Sequence, residues 1–176
     1  MAVSIRKGTE ADIPRIAEIY DRILTREEAG QTPIGWQRGV YPTEQTAREA
    51  WWAGELFVLE DAGQVMAAAR INGVQVPEYA HASWRYPDAP AEQVLVIHTL
   101  VVDPEAAGKG YGTAFVGFYE DEARRRGCPY LRMDTNAKNK NARRLYAGLG
   151  YWEADIVPCV FNGIAGVQLV CLEKKL

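Results

Sequence analysis

Val94-Leu95-Val96-Ile97-His98-Thr99-Leu100-Val101-Val102 runs into Asp103-Pro104, and soon after into Ala107-Gly108-Lys109-Gly110-Tyr111-Gly112-Thr113. A nearly unbroken apolar run suits a strand buried on both faces. Pro104 has no amide hydrogen to give a ladder, so the strand ends there. Tyr111 to Arg126 then reads as a helix, with Phe115, Phe118 and Glu122 along one side and Ala114 beside them. Arg124 to Arg126 followed by Gly127 supply its stop and suit its dipole. The glycine turn therefore joins a buried strand to a helix start.

Glycine is needed where backbone takes a positive φ or must approach a ligand closely. The first amides of a helix lack partners and sit at the positive end of its dipole, so such a turn holds an anion well. Lys109 adds a mobile cation. The bland alternative is three glycines that only shape the turn. Two nucleotide motifs fail on spacing. A Walker A loop requires Ser or Thr directly after its lysine, and Lys109 is followed by Gly110. A dinucleotide fingerprint requires G-x-G-x-x-G in the first βα unit, whereas these glycines alternate and lie far beyond it.

Outward from the turn, Val3-Ser4-Ile5 reads as a short strand. Thr9 with Asp12 forms a loose capping box. Ile13, Ile16, Ala17, Tyr20 and Leu24 follow at helical spacing. Glu27 to Tyr41, with Gly30, Pro33, Gly35 and Gly39, reads as a long loop, and Thr43 opens a second helix. Leu56–Glu60 and Val65–Ile71 are strands around the turn Asp61-Ala62-Gly63. Val76 to Gln93 is too irregular for a regular element. Tyr130–Thr135 reads as a strand and Asn139–Leu149 as a helix closed by Gly150. Tyr151–Leu176 reads as two strands about Asn162-Gly163, with a charged tail from Glu173. The order β-α-α-β-β-β-α-β-α-β-β predicts one α/β (α+β) domain over residues 1–176. Its single sheet is mixed and mostly antiparallel, with helices on both faces.

The 176 residues are 48% hydrophobic and 24% charged, a globular composition. With 23 acidic against 20 basic residues, net charge −3, nothing drives binding to nucleic acid. Cys128, Cys159 and Cys171 have no metal-ligand spacing, and no metal is expected. The odd cysteine count, the absence of a signal-like start and the lack of a long apolar run predict a cytoplasmic protein without a membrane span.

Leu100-Val101-Val102-Asp103-Pro104, Gly110-x-Gly112 and Asn139-x-x-Ala142-x-x-x-Tyr146-x-x-x-Gly150-Tyr151 together resemble the GCN5-related N-acetyltransferases. The resemblance is strong over residues 94–152 and consistent in element order from Val3 onward. It implies that acetyl-coenzyme A lies along a bulged strand at Leu100, Val101 and Val102. Its pyrophosphate would sit on Ala107, Gly108, Lys109, Gly110, Tyr111, Gly112 and Thr113. Ala107 departs from the family pattern, which has Gln or Arg there. Asn139 would bond the pantetheine or shape the helix start. Tyr146 matches the family tyrosine that protonates the departing thiolate, although its spacing with Ala142, Leu145 and Leu149 also fits a core residue.

His98 is a second catalytic candidate, because imidazole accepts protons near neutral pH. Some relatives, such as arylalkylamine acetyltransferases, place a base histidine similarly. A buried neutral histidine, Glu60 or a water relay are the alternatives, and His81 reads as exposed. Trp36 and Tyr41 are the expected substrate-binding residues. Glu27, Glu28, Tyr79, Trp84, Tyr86 and Asp88 are further acidic and aromatic candidates for a cationic amine, or else core cover and solvated charge. The expected activity is acetyl transfer to a primary amine, of a small molecule, by direct attack in a ternary complex. Acetylation of a protein N-terminus or lysine, and a non-catalytic acetyl-CoA-sensing domain, are the alternatives. The final strands offer an edge for a homodimer.

Overall fold

Thr9 opens the first helix through the predicted capping box: its backbone amide donates to Asp12 Oδ2 at 2.7 Å. The box starts a 3-10 turn, Glu10–Asp12, that leads into α1 (Ile13–Glu28). A computed structural model describes residues 3–176. It contains β1 (Ser4–Lys7), α1, α2 (Glu44–Trp52), β2 (Leu56–Asp61), β3 (Gln64–Asn72), β4 (Val94–Val102), α3 (Tyr111–Arg126), β5 (Tyr130–Asn136), α4 (Lys140–Gly148), β6 (Trp152–Phe161) and β7 (Ile164–Lys175). This is the predicted order.

The strands form one seven-stranded sheet, β1-β2-β3-β4-β5-β7-β6, antiparallel except for β4 with β5. Apolar stripes cover both faces. Ile13, Ile16 and Ile19 of α1 and Ala47 and Ala50 of α2 pack on Leu56, Val58, Ala68 and Val101. Phe115, Val116 and Tyr119 of α3, with Tyr146 of α4, pack on Phe57, Leu59, Ile71, Leu95 and Leu131. Burying each large side chain contributes roughly 1.5–3 kcal/mol. In α3 the buried stripe is Tyr111, Phe115, Val116, Tyr119 and Ala123, whereas Ala114 faces solvent.

Two features of β4 create the site. Its parallel pairing with β5 covers only Val94–Val96 against Tyr130–Arg132. Beyond them, Thr99 takes φ +51° at a shift of register: Arg70 pairs with His98 but Ala68 pairs with Val101. Thr99 and Leu100 thus stand opposite one residue of β3, a bulge that bends the strand and increases its twist. β4 parts from β5 and leaves a cleft at the carboxyl ends of two parallel strands, where open α/β sheets commonly bind ligands.

Two readings are corrected. Glu173 does not begin a charged tail, since it lies in β7 and is buried against Arg132 of β5, Nε to Oε2 3.1 Å. The irregular segment before β4 folds over this pair. Arg85 and Tyr86 amides donate to Glu173 Oε1, and Arg132 donates to the Tyr86 carbonyl and to Gln75. Asp103, read only as a strand stop, is buried and accepts from Arg15 and Arg22, which ties α1 to the glycine turn.

Candidate functional site

The cleft between β4 and β5 is a cavity of about 500 Å³. All the residues expected to hold the cofactor line it: Leu100, Val101 and Val102 of β4, the turn from Ala107 to Thr113, Asn139 and Tyr146. Gly108 and Gly110 have φ +83° and +78°, the left-handed region that excludes most side chains. Gly110 is also the N-cap of α3. A Cβ added at either would touch nothing within 4 Å, so the turn presents open backbone. Gly112 has a different purpose: its Cβ would come within 3.2 Å of Leu145, so it lets α3 pack on α4. Among the described residues, no amide from 108 to 113 makes a backbone hydrogen bond. The turn thus offers an anion several unspent donors at a positive dipole end, and Lys109 stands exposed beside them. Arg26 of α1, absent from the expected set, lines the same cavity and adds a cation.

Asn139 caps α4, its Oδ1 accepting from the Ala142 amide at 3.1 Å. Tyr146 is buried with its ring 6.2 Å from that of Tyr151. Burial and the charge of Asp134 push its phenol above the ordinary value, so it stays protonated and can donate. Tyr146 therefore belongs to the core and to the cavity wall at once.

A second cavity, about 350 Å³, opens on the far side of the bulge. Tyr20, Glu49, Arg70, Asn72 and His98 are among its lining residues. Tyr41, Thr99, Asp134, Phe161 and Asn162 line both cavities and form the wall between them. Tyr41 and Thr99 hydroxyls are bonded across this wall, and burial pushes the Tyr41 phenol up to about 12. Trp36 packs edge-on against Tyr41, ring centroids 5.7 Å apart, and lines the first cavity only.

The structure separates His98 from Tyr146: His98 lines the second cavity and not the first. Asn72 Nδ2 donates to Glu55, so its Oδ1 accepts from the Val74 amide and from His98 Nε2, the latter at 2.6 Å. That assigns the His98 proton to Nε2. Burial, and then the nearby Arg70 charge, lower His98 to about 4. It is thus neutral near pH 7, with one nitrogen committed.

Most of the additional acidic and aromatic candidates are occupied elsewhere. Glu27 accepts from the Ile34 and Gly35 amides and holds the first loop, while Glu28 pairs with Arg38. Trp84 lies over the Arg132 guanidinium at 4.3 Å, and Tyr86 packs on Tyr130. Tyr79 is buried and donates to Asp134 Oδ2 at 2.6 Å.

Asp134 is the residue sequence reading passed over. Burial raises its carboxyl to about 6, against the lowering effect of the Tyr79 hydroxyl. The available signal was the one acidic residue of β5, placed directly after Met133 in a strand that runs on past the point where β4 leaves it. Among the described residues there is no His/Cys/Asp/Glu cluster able to hold a metal, and no helix long and apolar enough to cross a membrane.

Residues 16–151 match the profile of the acetyltransferase (GNAT) family. An uncharacterized N-acetyltransferase of Methanocaldococcus jannaschii is 26% identical over 155 residues, which is 88% of this chain and 62% of the archaeal protein. The L-methionine sulfoximine/L-methionine sulfone acetyltransferase of Salmonella typhimurium is 27% identical over 149 residues, covering 85% of this chain and 80% of that protein. A Salmonella typhimurium acetyltransferase solved with its cofactor acetyl-CoA superposes with a TM-score of 0.68. It is 23% identical, over 100% of this chain and 95% of that one.

Proposed function

The chain belongs to the acetyltransferase (GNAT) family, and from that premise we propose that it transfers the acetyl group of acetyl-coenzyme A to the amine of a small molecule, with both bound together. The observation that carries this reading is the pair of cavities meeting at one wall. The unspent amides of residues 108–113 fit a pyrophosphate. From there the backbone of β4 that β5 no longer pairs can bond the pantetheine amides in the manner of an added strand. The thioester then reaches the wall, where the bulged backbone polarises its carbonyl and the Tyr146 hydroxyl protonates the departing sulfur. None of the three cysteines lines either cavity, which supports direct attack without a thiol carrier.

The second cavity takes the acceptor. Its volume suits a small molecule, and its charges are mixed: Arg70 against Glu49 and Asp134. Such a lining matches a zwitterion, an amino acid or a close derivative, with Arg70 Nη1, which the Glu55 pair leaves unbonded among the described residues, open to the carboxylate. The Salmonella sulfoximine and sulfone acetyltransferase points to the same class. An extended peptide fits less well, because Glu27 holds the first loop and Trp36 and Tyr41 of that loop line the cavities.

The test is thiol release from acetyl-CoA across a panel of amino acids, methionine sulfone and sulfoximine, polyamines and peptides. Turnover concentrated on amino acids is expected. Release only with peptides would transfer the reading to protein acetylation, and binding of acetyl-CoA with no release for any amine would favour a sensing domain.

A further inference from the structure

The group that accepts the acceptor's proton follows from what surrounds β5 in the dividing wall. Asp134 lines both cavities, so it borders the place where amine and thioester must meet. Its Oδ2 accepts from Tyr79, and no hydrogen bond among the described residues reaches its Oδ1. The titratable groups facing it are neutral or acidic on every packed element. They are Tyr79 and Glu78 of the 3-10 turn Pro77–His81, Tyr41 of the first loop, Tyr146 of α4, Cys159 of β6 and Cys171 of β7. Across the second cavity Arg70 is already paired with Glu55 at 2.6 Å, and His98 is neutral. Glu49 of α2 lines that cavity as well. A carboxylate deep in a fold normally has a cationic partner, because an unpaired charge there is costly. Among the described residues Asp134 has none.

We propose that the missing partner is the ammonium of the acceptor, and that Asp134 is the base that deprotonates it. This rests on the acetyl-transfer reading above. The ammonium docks against Oδ1, and one of its protons passes to that oxygen, leaving a lone pair on nitrogen. The lone pair forms the bond to the thioester carbon, and the carbon–sulfur bond breaks with its electron pair on sulfur. Tyr146 gives its proton to the sulfur. The second proton lost by nitrogen returns to the Tyr146 oxygen through solvent, and Asp134 releases its own to water. One proton leaves per acetyl transferred.

The comparison with His98 decides between the two candidates. Asp134, raised to about 6, binds a proton roughly a hundredfold more tightly than His98, lowered to about 4. Position agrees, since His98 does not reach the first cavity and spends Nε2 on Asn72.

The test uses the full chain with the best acceptor of the amine panel and follows kcat/KM from pH 5.5 to 10. Asp134→Asn, a near-isosteric change, is expected to lower kcat/KM about 10²–10⁴-fold at pH 7. The loss should shrink toward pH 10, where solvent supplies free amine. Tyr79→Phe removes the bond that lowers the Asp134 carboxyl, so the acid limb of its profile should move to higher pH. A loss equal at every pH, or none, with an unmoved limb in Tyr79→Phe, overturns the base while leaving acetyl transfer intact. If the unmodified chain releases no thiol with any amine, the transferase reading falls and the base with it. Unchanged coenzyme A affinity of Asp134→Asn shows that the variant is folded.

Discussion

The two cavities on either side of the Thr99 bulge are built from different materials. The cofactor cleft is made of backbone: glycines at positive φ, amides without partners and a strand edge that its neighbour has left. The acceptor cavity is made of side chains, Arg70, Glu49, Asn72, His98 and Asp134, brought from three strands and one helix. A binding site for a cofactor of fixed shape can be written in local conformation. A site for a particular acceptor depends on single charges whose meaning comes from their neighbours.

The difference predicts how each side breaks. Tyr146 serves the junction, so Tyr146→Phe should lower kcat by about 10²–10⁴-fold and leave coenzyme A affinity unchanged. A weakened affinity would make the tyrosine a packing residue of the cleft. On the acceptor side, Arg70→Gln removes one charged hydrogen-bond donor set, worth about 1.5–3 kcal/mol. The kcat/KM for an amino acid should fall roughly 10–100-fold, while a related amine without a carboxylate is unaffected. Equal losses for both would place Arg70 outside acceptor binding. On the cofactor side, Gly110→Val forces a β-branched residue into the left-handed region at a cost of about 1–3 kcal/mol. Coenzyme A should bind about tenfold or more weakly, with the preference among amines unchanged.

The smallest effect concerns pH. His98 is held at about 4, below its ordinary 6.5, so as pH falls the unfolded chain takes up this proton first. Stability therefore drops as pH falls from about 6.5 to 4, and is fully retained above that window. Asp134, raised from 3.8 to about 6, acts in the opposite direction between those values. His98→Gln should flatten the acid loss of melting temperature. An unchanged slope would mean that His98 titrates normally.

The same contrast explains what the sequence made legible. The strand Val94–Val102, the helix Tyr111–Arg126 and the glycine turn between them could be read because apolar periodicity and glycine placement are local signals. Tyr146 drew notice through its spacing from Asn139. Asp134 did not, because its environment is assembled from afar. β7 inserts between β5 and β6 and sets Cys171 opposite it, and Tyr79 reaches it from the irregular segment before β4. Glu173 looked like a tail for the same reason, since its partner Arg132 lies 41 residues earlier. His98 attracted attention through the intrinsic chemistry of imidazole, which burial beside Arg70 then altered.

The most direct test of the two-cavity account is a crystal structure of the chain with coenzyme A. The account predicts the pyrophosphate against the amides of residues 108–113, the pantetheine along Leu100–Val102, and the thiol at the wall within hydrogen-bond reach of the Tyr146 hydroxyl. The second cavity should stay open to the acceptor. A thiol lying in that second cavity against His98, or a pyrophosphate bound away from the glycine turn, would contradict it.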